Sequence, residues 1–184
     1  MELKDQPQPV TLARKLGEVP HVSGLLRRIA RVSGAGEHTA EWLLKVAVQR
    51  GADHYQRTFD PSLPPDSPLV SSEEIGIALC LGELPYGLDH LRVAAQLLSS
   101  PHVDANQLCR LAVQERCEPV LLHIAQTAER FASKLEPWAI LRRDLPPRPV
   151  PRTDALPHWT RFVSHTGVTA HGGPPQSDWL CRRE

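Results

Sequence analysis

A chain of 184 residues has room for one domain with appendages, or for one domain and a small subdomain. Its 21 Lys+Arg balance 21 Asp+Glu, which argues against a protein that coats nucleic acid or an anionic membrane through excess positive charge. Aromatics make up only 5% of the chain and the 18 prolines gather between the periodic stretches, so a core is available over part of the length only.

Residues 1–9 are polar, lack the apolar centre of a signal peptide and read as a flexible tail. No apolar run approaches the roughly 20 residues that span a bilayer. The chain is therefore expected to be soluble and cytoplasmic, with no membrane partner.

Val10 to Val32 holds two short helical segments, broken near Gly17 and Pro20. The second carries Val22, Leu25, Leu26 and Ile29 on one stripe, with Arg27, Arg28 and Arg31 mostly off it. A third helix is predicted over about 37–56, with Trp42, Leu43, Val46 and Ala47 inward. Pro61, Pro64, Pro65 and Pro68 then mark a linker or surface strap over 58–70.

Ser71 and Glu74 match a capping box ahead of Ile75, Ile77, Ala78, Leu79 and Leu81. A further helix is predicted over 88–100. Asp104 with Gln107 repeats the capping arrangement for a helix through Leu108, Leu111 and Ala112. Pro119 suits the first turn of the next, which uses Val120, Leu121, Ile124, Ala125 and Ala128. Pro137 limits that helix, and a short turn over Ala139–Arg143 precedes the proline-rich stretch 145–151, expected to be polyproline-II-like. Alternating residues over 158–169 and the Gly-Pro turn at 172–175 suggest a short β-hairpin, docked through Trp159, Phe162 and Trp179.

The expected fold is all-α: a compact multi-helix domain over 10–144 with proline-rich linkers. It divides into an N-terminal subdomain 10–57, linker 58–70 and helical core 71–144, followed by a strap and C-terminal docking segment over 145–184.

Chemistry is less legible. Residues 104–131 could form a helix-turn-helix, with Ala112 at the small inner position and Arg116 where a glycine is expected in the turn. Its second helix would present His123, Gln126, Thr127 and Arg130. Gln126 and Arg130 would address base edges, and Arg110, Arg116 and Lys134 phosphates. Glu115, Glu118, Glu129 and Glu136 lie among them and would repel a nucleic-acid backbone, which favours an ordinary helical hairpin.

Arg27, Arg28 and Arg31 form a basic patch on one helix, suited to an anion or to solvent. His158, His165, His171 and Cys181 crowd the C-terminal segment at intervals that match no zinc signature. Cys80 and Cys109 fall within apolar helical patterns, where free cysteine acts as a small hydrophobe. The Ser33–Gly36 loop follows a helix rather than a strand and lacks the Lys-Ser/Thr of a phosphate-binding loop. No metal, cofactor or catalytic residue is assigned. The expected function is a non-enzymatic intracellular interaction or assembly module whose partner is another protein. The alternatives are a DNA-binding regulator using 104–131, and a small helical enzyme or enzyme accessory domain.

Overall fold

The computed structural model describes residues 10–52, 58–131, 135–166 and 176–179. The 1–9 tail, His54, Lys134, the 172–175 turn, His171 and Cys181 lie outside them. Among the described residues the chain is mostly helical. It runs α1 (Leu12–Leu16), α2 (Gly24–Ser33), α3 (Thr39–Gln49), α4 (Ser72–Leu79), α5 (Leu88–Leu97), α6 (Ala105–Gln114), α7 (Glu118–Phe131) and α8 (Glu136–Asp144), then β1 (Val163–Thr166) and β2 (Gln176–Trp179).

Helix α1 is short and holds its place through backbone pairing. Thr11 caps it, and the chain around it hydrogen-bonds to 82–86: Ala13 N to Gly82 O at 2.9 Å and Tyr86 N to Val10 O at 2.8 Å. A Cβ on Gly82 would sit 2.8 Å from that of Ala13, so the two strands of chain meet this closely only because Gly82 has none. Gly17 closes α1 at φ 77°, a left-handed conformation open to glycine.

The α2 stripe is narrower than its sequence period implies. Leu25 and Ile29 are buried, but Val22 precedes the helix and is exposed, because Ser23 takes the N-cap and starts the helix after it. Helix α3 buries Trp42, Leu43, Val46 and Ala47 as expected and stops at Arg50, ahead of Gly51 at φ 104°.

Side chains of α3 grip the proline-rich segment beside it. Trp42 Nε1 donates to Pro65 O at 3.2 Å, Lys45 Nζ to Leu63 O at 2.7 Å, and Arg50 to Asp66 and to Val70 O. Backbone carbonyls that proline leaves without neighbouring N–H partners are thus satisfied.

Helix α4 is the centre of the core. Its capping box forms as read: Glu74 N donates to Ser71 Oγ, and Ser71 N donates to Glu74 Oε2 at 2.9 Å. Ile75, Ile77, Ala78 and Leu79 are buried, each large side chain contributing about 1.5–3 kcal/mol. Helices α3, α5 and α6 pack around it. Leu98 lies so close to Gly76 that a Cβ there would overlap it.

The second capping arrangement differs from its sequence reading. Asp104 accepts from Asn106 N and Gln107 N, but Gln107 does not reach back to it. Glu73, buried in the first turn of α4, accepts from Asp104 N at 2.8 Å instead, so it does more than answer its own helix dipole.

Pro137 does not end a helix; it opens one. It occupies the first turn of α8, where a missing N–H costs nothing, and the stretch read as a turn over Ala139–Arg143 is helical. Trp138 and Leu141 are buried by it against α6 and α7. After the strap, β1 pairs antiparallel with β2, Val163 opposite Trp179. Phe162 and Trp179 are buried, and Trp138 Nε1 and Trp179 Nε1 both donate to Ser99 Oγ at 2.8 Å.

Candidate functional site

An open groove of about 880 Å³ lies between the outer side of α7, the edge of α8 and the segment 153–159. Helical spacing puts His123, Gln126, Thr127 and Arg130 on its α7 wall. Thr153, Asp154, Leu156, His158 and Trp159 form the facing wall, with Glu129 and Arg142 at one end. Glu129 and Arg142 pair at 3.3 Å in solvent, an interaction worth little to stability.

The wall at 153–159 is held by aromatic and polar contacts. Trp159 stacks on Phe131 with ring centroids 5.3 Å apart, and His123 Nε2 lies 2.7 Å from Pro157 O. A carbonyl only accepts, so the Nε2 nitrogen donates its proton there. His158 Nδ1 is 3.1 Å from Thr160 Oγ1.

Four of the residues read as a recognition surface thus come together, and two do not. Arg110 is exposed on α6, away from the groove. Arg116 stands in the α6–α7 turn at φ 56°, the left-handed conformation a glycine would have taken there. Its carbonyl accepts from Arg148, and its side chain borders a separate, smaller hollow. Within the groove Gln126 and Arg130 are exposed, whereas Thr127 is buried with its hydroxyl on His123 O at 3.1 Å. The 153–159 segment faces this side of α7 across the groove and touches it through His123 and Pro157 O.

The basic patch is also smaller than its spacing implies. Arg27 and Arg31 are exposed, but Arg28 is paired with Glu74 and donates to Leu69 O at 3.3 Å. Sequence periodicity shows which face a residue occupies and not which carboxylate will meet it.

Arg148, in the strap, was assigned no role by its spacing. Its guanidinium joins Glu18 after α1, Glu118 at the start of α7 and the Arg116 carbonyl. Glu118 is nearly enclosed, so the pair compensates a charge that burial alone would penalise. The signals sequence could have offered for the groove's outer wall were Trp159 and His158. The remaining lining, Thr153, Asp154 and Leu156, has no periodic signature.

Cys80, Cys109 and Cys117 are free thiols. Burial pushes Cys80 up to about 12 and Cys117 well above the ordinary thiol range, so neither supplies a thiolate near neutrality. Among the described residues no cluster of His, Cys, Asp and Glu is arranged to hold a metal ion, and no helix is long and apolar enough to cross a membrane. No family model matches the chain, and neither a curated protein nor a solved structure matches it.

Proposed function

We propose that this chain is a non-enzymatic intracellular interaction or assembly module that takes a partner protein in the α7–strap groove. The observation that carries the reading is the groove's composition. It is open, it is lined by both signs of charge, and it carries a half-buried Trp159 and the exposed Gln126 and Arg130. Such a surface matches a polar peptide chain, with an aromatic anchor and charged rim groups that set register.

The Thr127 hydroxyl on the α7 wall is directed to the His123 carbonyl rather than held as a nucleophile. Against a DNA reading, the carboxylates of Glu129 and Asp154 line the same groove and would repel a nucleic-acid backbone. Buried thiols at Cys80 and Cys117 suit the reducing cytoplasm in which we place it.

The test is capture from the native cell by crosslinking, comparing the intact chain with Arg130→Glu and Asp154→Lys. Both positions are exposed, so helicity should be unchanged. A partner whose capture falls about tenfold with either reversal supports the groove. Capture insensitive to both, or DNA binding that persists at moderate salt, overturns it.

A further inference from the structure

The groove between α7 and 153–159 constrains what can lie in it. Its walls meet at two points: His123 Nε2 on Pro157 O at 2.7 Å, and the Phe131 ring on Trp159 with centroids 5.3 Å apart. A slot drawn in at both places is narrow. An α-helix with its side chains is about 10–12 Å across, whereas neighbouring extended chains sit about 5 Å apart. An extended chain suits the space better than a helix.

The free charges are sorted between the walls. Glu129 and Arg142 answer each other at one end, at 3.3 Å. Arg130 on α7 and Asp154 on the facing segment are both exposed, and neither has an ion-pair partner among the described residues. One wall therefore offers an uncompensated cation and the other an uncompensated anion.

The α7 wall also has a spacing. Gln126 and Arg130, both exposed and one helical turn apart, are separated by about 6 Å along the axis. Two residues of an extended chain advance about 6.6 Å, close to that turn. In such a chain, side chains two apart share a face and neighbours point opposite ways. A strand laid along α7 would thus bring residues i and i+2 to Gln126 and Arg130, and turn the one between them toward 153–159.

On the reading of the α7–strap groove as the partner site, we propose that the partner supplies an extended segment of alternating charge. An acidic residue faces Arg130, and a basic residue an odd number of positions away faces Asp154. Opposite charges on the two faces fix which side of the segment meets which wall.

The experiment selects a displayed random-peptide library against the full chain and measures the best peptide by fluorescence anisotropy. Enriched peptides carry Asp or Glu and Lys or Arg at odd separation. Arg130→Glu weakens binding about tenfold or more, and a lysine in place of the peptide's acidic residue restores most of it. Asp154→Lys is rescued in the converse way, by an acidic residue at the basic position. Both positions are exposed, so circular dichroism should report an unchanged fold. Charges at even or helical separation, or loss on reversal without rescue, overturn the strand pairing and leave the groove standing. Peptides indifferent to both reversals, or no enriched peptide, overturn the pairing and the groove together.

Discussion

The Ser23 hydroxyl donates to the Glu115 carboxylate at 2.6 Å, joining the start of α2 to the end of α6 across 92 residues of chain. Helix α2 has no acidic residue in its own first turn. Glu115 replaces it, accepting also from Leu25 N at 3.3 Å, while Glu83 accepts from Ser23 N at 2.8 Å. Exposed N–H donors and the positive end of the helix dipole are answered from distant segments.

Glu115→Ala is expected to cost about 2–3 kcal/mol and Ser23→Ala about 1–2 kcal/mol, since both leave buried donors unmet. Urea unfolding of the single and double variants gives the coupling directly. A coupling below about 0.5 kcal/mol would show that the contact is dispensable.

Ser99 is a second junction. Its hydroxyl accepts from Trp138 and Trp179 and donates to Ala95 O at 2.7 Å. Ser99→Ala strands two buried indole N–H groups and should destabilise by about 2–4 kcal/mol. Trp179→Phe removes one donor and much less, so it should cost clearly less by the same denaturation measurement.

Alkali should unfold this protein through its thiols. An unfolded thiol titrates near about 8.5, whereas burial raises Cys80 in the native state to about 12 and moves Cys117 the same way. The folded form therefore holds protons that the unfolded form gives up. Stability is fully present below the unfolded value and is lost as pH climbs from about 9 toward 12, at about 1.4 kcal/mol per unit for Cys80, with Cys117 acting in the same direction. Cys80→Ala with Cys117→Ala should flatten that loss, and mass spectrometry after alkylation at neutral pH should find Cys109 modified before either.

Arg148→Met should untie the strap. Glu118 would stay enclosed without its cation, at a cost of about 1–3 kcal/mol once the partial exposure of Arg148 is discounted. Limited proteolysis should then cut within 145–157 faster than in the parent chain. Unchanged cleavage would mean that Leu145 and Val150 hold the strap unaided.

Local signals were the legible ones. Ser71 and Glu74 announced α4, Pro119 the first turn of α7, and the α3 stripe its buried face, because each depends on neighbours within a turn of helix. Pro137 was misread because a proline that ends one helix and one that begins the next look alike until the following residues pack. Of the site, His123, Gln126, Thr127 and Arg130 were grouped by helical period, while the wall they face arrives from a segment with no period at all. Polar ties such as Glu115 to Ser23, Glu73 to Asp104 and Arg28 to Glu74 leave no trace in spacing.

The capping of α2 by Glu115 also has a bearing on synthesis. Ribosomes deliver about 5–20 residues per second, so several seconds pass between the emergence of Ser23 and that of the carboxylate it needs. Helix α1 waits longer still, for Arg148 and the backbone of Arg152. Helices α3 and α4, against which α2 packs, emerge before Glu115, so α2 meets its apolar neighbours before its cap is complete.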